Sequence, residues 1–162
     1  DATCGGSFVH EYNSLLADNP HYEKFAAKYR EIHTLLLELG LPDELKEIKR
    51  RVTYHDSCHL RHTQGVREAP RKLLNMLPGL ELVEMKDSEI CCGFGGSFSL
   101  FHAGESAAVS GEKIKNAAAS GAEVIAAGSP GCVLKLREEA SLHNIPIEVK
   151  HTLEILREYL PE

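Results

Sequence analysis

Arg51-Val52-Thr53-Tyr54-His55-Asp56-Ser57-Cys58 reads as a short alternating strand that runs straight into a small polar turn bearing a cysteine. Downstream, Glu68 to Leu77 has helical spacing with Pro70 placed in its first turn, Pro78-Gly79 is a turn, and Leu80 to Met85 is the next strand. The same grammar continues. Gly104 to Ala119 predicts a helix stopped at Ser120-Gly121, and Glu123 to Ala127 a strand ending in Gly128-Ser129-Pro130-Gly131-Cys132. Cys132 to Leu142 predicts a helix, Ile145 to Lys150 a strand, and Thr152 to Leu160 a last helix. Alternation of strand and helix from residue 51 onward is the signature of an α/β domain, a parallel sheet with helices on both faces. Chemistry in such domains sits at the carboxyl ends of the strands. Cys58 and Cys132 follow strands immediately, and Cys91-Cys92 follow the strand ending near Met85, so three segments deliver thiols to one edge.

Working back from the sheet, the spacing predicts one helix over Phe8 to Leu16 and a longer one over His21 to Leu39. Phe25, Tyr29, Ile32, Leu36 and Leu39 line one face of the longer helix, Gly40 ends it, and a short helix is expected from Pro42. The aromatic stripe Tyr12, Phe25, Tyr29 is core packing. An internal echo links the two ends: Glu31-Ile32-His33-Thr34-Leu35 resembles Lys150-His151-Thr152-Leu153, each downstream of a small-residue loop holding one cysteine, Cys4 or Cys132. This predicts two copies of a repeat, with residues 1–45 the tail of the first plus a linker and residues 46–162 the second. His33 and His151 open equivalent helices, where capping is the expected role. Asp1 is not an initiator Met, no signal-like segment follows it, and residues 1–6 read as the end of a motif, so the expectation is the C-terminal part of something longer.

The 162 residues suit one domain at ~150 residues per domain, able to bury about 70% of their unfolded surface without cross-links. With 43% hydrophobic and 26% charged residues the composition excludes disordered and disulfide-scaffold classes. Apolar runs such as Leu35 to Leu37 fall far short of the ~18 residues that span a bilayer. A net charge of −6 argues against a nucleic-acid partner. One local exception is residues 46–72, which carry eight Lys or Arg against three acidic residues. Arg61 and Arg67 in this stretch could stabilise an anionic centre, and the whole could steer an acidic partner.

Five cysteines in a chain of this size point to metal or redox chemistry in a reducing compartment. Cys58, Cys91, Cys92 and Cys132 supply the four thiolates that an iron–sulfur cluster uses. Neighbouring side chains diverge, so the pair Cys91-Cys92 suits corners of a cluster better than one zinc ion, whose structural sites favour C-x₂₋₄-C spacing. Gly93, Gly95 and Gly96 leave room for a bulky group and expose backbone N–H donors to its sulfurs. The loop is no dinucleotide fingerprint, because Phe98 stands where its third glycine would be. His55, His59 and His62 flank Cys58, but a histidine next to the cysteine does not easily aim at the same atom, and His55 is expected to pack or to bond Asp56.

Tyr54-His55-Asp56-Ser57-Cys58-His59, Cys91-Cys92-Gly93-Phe94-Gly95-Gly96 and Ser129-Pro130-Gly131-Cys132, with 32 residues between Cys58 and Cys91, resemble the cysteine-rich CCG repeat. That repeat occurs in the cysteine-rich component of heterodisulfide reductase and in iron–sulfur subunits of glycolate and lactate oxidases. The surrounding wording, Cys58-His59-Leu60-Arg61-His62 and Phe98-Ser99-Leu100, is most similar to the glycolate oxidase type. The resemblance implies a Rossmann-like domain that relays electrons from a flavin-containing catalytic subunit oxidising a 2-hydroxy acid. It also implies a cytoplasmic location, with any membrane association made through partner subunits. Residue by residue, Cys58, Cys91, Cys92 and Cys132 match ligand positions of the second repeat, and Cys4 matches the closing motif of the first. Ser129 and Asp1 stand where a C-x-x-C closing motif has its first cysteine, which favours a 4Fe-4S cubane over a five-thiolate cluster and argues against disulfide chemistry. The competing expectation is a docking module for the catalytic subunit whose thiols hold zinc or no metal.

Overall fold

Four strands form a parallel sheet in the computed structural model: β1 (Arg50–His55), β2 (Leu80–Leu82), β3 (Val124–Ala127) and β4 (Glu148–His151), in the order β2-β1-β3-β4. Residues 2–161 are described, so the reading of Asp1 as a replaced cysteine lies outside the described residues. The helices are α1 (Cys4–Gly6), α2 (Asn13–Leu16), α3 (Tyr22–Ala26), α4 (Ile32–Leu39), α5 (Glu68–Asn75), α6 (Ser97–Phe101), α7 (Ala103–Ala119), α8 (Pro130–Leu142) and α9 (Thr152–Tyr159).

Two cores follow from the strand alternation. Val52 and Tyr54 of β1 with Val124 and Ala126 of β3 pack against Leu73 and Leu74 of α5, Ile155, Leu156 and Tyr159 of α9, and Leu36 and Leu37 of α4. On the opposite face Ile125 and Ala127 of β3 with Val149 of β4 meet Ile114 and Ala117 of α7 and Val133, Leu136 and Ala140 of α8. Burial on both faces is why Val124-Ile125-Ala126-Ala127 is a continuous apolar run rather than an alternating one. The chain leaves β1 toward β2 on one side and returns past it to β3 on the other, so the topological switch lies between β1 and β3. That crevice is where open α/β sheets place their ligands.

The fold expected from the alternation is the fold observed, with local corrections. The single helix expected over residues 21–39 is broken into α3 and α4. Glu31 causes the break: its backbone is extended and its carboxylate accepts from the N–H groups of His33 and Thr34 and from His33 Nδ1. A carboxylate cap competes with helix continuation. Phe8 to Leu16 likewise divides, with a π-helical turn over Ser7–Glu11 before α2. No helix forms after Pro42; instead Lys46 N–H donates to Tyr159 O and Ile48 N–H to Pro78 O, an extended path that leads into β1. The stretch to Met85 shortens to β2, although Val83 N–H still donates to Val52 O and Met85 N–H to Thr53 Oγ1.

Candidate metal centre

Each cysteine of the second half is positioned by a different element. Cys58 comes directly off β1, in the turn that begins a π-helical segment over His59–Thr63. Cys132 sits in the first turn of α8, which starts at Pro130 after the extended Ser129. Cys91 and Cys92 lie on the loop before α6. Asp56 fixes the β1 exit. Its carboxylate accepts two bonds of 2.8 Å from the Arg71 guanidinium, one of 3.3 Å from Arg61 and one of 3.0 Å from Ser88 Oγ, while its own N–H donates to Ser88 O. Burial works to raise the Asp56 pKa, but Arg71, Ser88 and Arg61 outweigh it and hold the carboxyl below its ordinary value. Arg71 in turn lies over the Tyr54 ring and pairs with Glu84. Of the two arginines expected to stabilise an anionic centre, Arg61 is paired with Asp56 and Arg67 is exposed.

The three segments converge on one cavity of about 260 Å³ at the switch point, lined by Cys58, Cys91, Cys92 and Cys132. Gly95, Gly96 and Phe94 close one side; Thr3, Ser57, His59 and Ser129 complete it. Gly93 does not line the cavity. Its positive φ of 83° lets its N–H donate to Cys91 Sγ at 3.3 Å, and Ser106 Oγ donates to its carbonyl at 2.7 Å. Cys4 is exposed on α1 and stands apart from this lining, which takes Thr3 instead. His59 corrects a sequence expectation, since its Nδ1 lies 3.6 Å from Cys58 Sγ. His62 is exposed.

The thiols are electrostatically coupled. Cys92 Sγ and Cys132 Sγ are 3.0 Å apart, and both residues are buried. The hydrogen bond with Cys132 leads in pushing the Cys92 pKa up to about 12, and the same bond leads in lowering that of Cys132, helped by Ser57 and Ser129. Ser129, standing where a closing C-x-x-C would have a thiol, places its Oγ 3.3 Å from Thr3 Oγ1 on the wall of the cavity. Cys91 is raised by its bond to Cys92 and by burial; Cys58 is raised by burial and then by Cys91. A metal must displace these protons, since the thiolate is the ligand.

Residues 52–137 match the family model described as a cysteine-rich domain, CCG. The chain belongs to the CCG cysteine-rich domain family. It is 34% identical over 156 residues to lactate utilization protein A 1 of Bacillus mycoides, a match covering 93% of this chain and 64% of that protein. It is 35% identical over 159 residues to lactate utilization protein A of Oceanobacillus iheyensis, covering 95% and 65%. A third relative, lactate utilization protein A of Shouchella clausii, is 33% identical over 151 residues, covering 90% and 63%. The chain spans a little under two thirds of the length of these curated relatives.

The CCG cavity suits a sulfur-ligated cluster in donor chemistry and in shape. Four soft donors from three segments surround a void whose one side is closed by Phe94, Gly95 and Gly96, and the Gly93 N–H already points at Cys91 Sγ. Cys92 and Cys132 stand closer than two corner ligands of a cubane, so holding one requires their side chains to part. A second grouping overlaps it: ligand atoms of His55, Cys92 and Cys132 lie within 4.8 Å of one another. Sequence reasoning missed three polar contributors here, Ser57, Ser129 and the buried Lys113. Lys113 had no visible signal beyond a cation on the apolar side of an amphipathic helix, and its Nζ donates to the Asp87 carbonyl.

Proposed function

We propose that this CCG domain holds an iron–sulfur cluster, of 4Fe-4S type, on Cys58, Cys91, Cys92 and Cys132 and serves as an electron carrier in the oxidation of lactate. The convergence of those cysteines on one cavity at the sheet's switch point carries the reading. The names of the relatives, lactate utilization protein A, supply the substrate class, a 2-hydroxy acid. When bound, such a cluster accepts and releases one electron at a potential set by its surroundings. The chain's own residues would ligate it, exclude water with Phe94, and present backbone N–H groups from the glycine loop. The hydroxy acid would be oxidised on a flavin-containing partner subunit, with electrons passing to this domain. Cys4, on α1, would belong to the separate thiol set of a preceding repeat, with residues 46–162 forming the repeat described above. No helix among the described residues is long and apolar enough to cross a membrane, so any membrane association would run through partner subunits.

The His55, Cys92 and Cys132 grouping supports a second reading, a single zinc ion in a structural or docking module. Anaerobic incubation with iron and sulfide, against incubation with zinc, separates them. The first reading predicts broad visible absorption that bleaches with dithionite and an EPR signal from the reduced sample. Tight zinc uptake without colour in the iron sample would leave the docking module.

A further inference from the structure

His55 ends β1, and the strand's alternation decides where it goes. Val52 and Tyr54 face α5 and α9, so Thr53 and His55 face the opposite layer with α7 and α8. Thr53 is satisfied there by accepting the Met85 N–H. His55 is not: its side chain is 0% exposed, and neither Nδ1 nor Nε2 has a hydrogen-bond partner among the described residues. Buried polar groups are rarely left this way, because each loses its hydration without a compensating hydrogen bond. Sulfur lies close to the ring, with Cys92 Sγ and Cys132 Sγ in the same 4.8 Å grouping, and the Ser88 backbone is a further polar neighbour. An imidazole ring carries at least one N–H donor in either protonation state.

Resting on the cluster reading above, we propose that the His55 N–H donates a hydrogen bond to a sulfur of the metal centre, making His55 a positioning residue that stabilises the reduced form. Thiolates and cluster sulfides only accept, and they gain negative charge on reduction, so a buried donor aimed at them favours the reduced state. Hydrogen bonds to the sulfurs are among the determinants of cluster potential. His55 is not required as a ligand because four thiols complete the set.

The test is a redox titration followed by EPR on the iron- and sulfide-loaded 162-residue chain, as wild type, His55→Leu and His55→Gln. The expected result is equal iron and sulfide content in all three, a midpoint shifted to more negative values in His55→Leu, and partial restoration in His55→Gln, whose amide can still donate. An unmoved midpoint in His55→Leu overturns the inference. Should His55→Leu fail to fold, hyperfine spectroscopy of the reduced wild type with isotopically labelled histidine decides. A weak nitrogen coupling supports the hydrogen bond, whereas no coupling, or the strong coupling of a directly bound nitrogen, overturns it. Failure of the wild type to take up iron and sulfide overturns the cluster reading and this inference with it; uptake with an unmoved midpoint overturns the inference alone.

Discussion

Asp56 is the residue on which the cavity's geometry hangs, because it ties the end of β1 to α5 through Arg71 and to the loop before Cys91 through Ser88. Removing its charge leaves the Arg71 guanidinium, 17% exposed, without its best partner. Asp56→Asn is expected to cost about 2–3 kcal/mol in urea denaturation at neutral pH. The pH dependence has a definite sign. A carboxyl whose folded pKa is depressed contributes stability that is present above its unfolded value of about 3.9 and is lost as pH falls through the folded one. The gap between Asp56→Asn and wild type should therefore be constant above about pH 5 and close on acidification below about pH 4. A gap that persists unchanged at low pH would show that Asp56 acts through packing alone.

Glycines of the loop separate backbone constraint from site constraint at the same scale. A Cβ on Gly93 would sit 2.5 Å from the Ser106 carbonyl oxygen, at a φ of 83°, whereas one on Gly96 would meet nothing within 4 Å at a φ of 57°. Gly93→Ala should lose about 2–3 kcal/mol, combining strain and clash. Gly96→Ala should lose only about 1 kcal/mol, the left-handed penalty of a side chain. Paired thermal melts check the contrast, and equal losses would contradict it.

At the scale of elements, the strand–helix alternation after residue 50 was legible because the strands alternate, as in β1, or run apolar, as in β3, and glycine or proline turns punctuate them. The N-terminal elements were not. Periodicity runs unbroken through Phe25, Tyr29, Ile32 and Leu36, and it hides the break that Glu31 makes by capping α4 from within the pattern. That cap should be measurable: Glu31→Ala removes the acceptor of the His33 and Thr34 N–H groups and of His33 Nδ1, for an expected loss of about 1–2 kcal/mol. A loss near zero would mean that α4 is held by Leu36 and Leu37 in the core without help from its cap. The echo between the two ends found a real spatial relation, since His33 and His151 stack with centroids 6.2 Å apart. It said nothing of their different caps, Glu31 for α4 and the His151 ring itself for α9.

For the whole molecule, the sheet order β2-β1-β3-β4 turns sequence-distant motifs into neighbours, bringing Cys58 off β1 beside Cys132 after β3. The convergence of the four cysteines was readable because cysteine is scarce and each lies just past a strand or beside a glycine-rich turn. Their polar surroundings were not. Ser57, Ser129 and Lys113 are ordinary residues in sequence, and only the third dimension brings the two serines to the thiol cavity and Lys113 within electrostatic reach of Cys92. His55, expected to pack or to bond Asp56, does pack, fully buried, but its ring nitrogens make no such bond, and its grouping with Cys92 and Cys132 is visible only in three dimensions. Because the four thiols lie on three separate segments, filling the cavity should also stabilise the fold, and the loaded chain should melt higher than the metal-free one.

The most direct test is the iron and acid-labile sulfide bound per chain after anaerobic reconstitution, in wild type and in Cys58→Ser, Cys91→Ser, Cys92→Ser and Cys132→Ser. The cluster reading predicts about four of each per wild-type chain and a sharp fall in all four variants, with Cys4→Ser unchanged. Iron content in any of those four that equals wild type, or a wild type that binds one zinc and no sulfide, would contradict it.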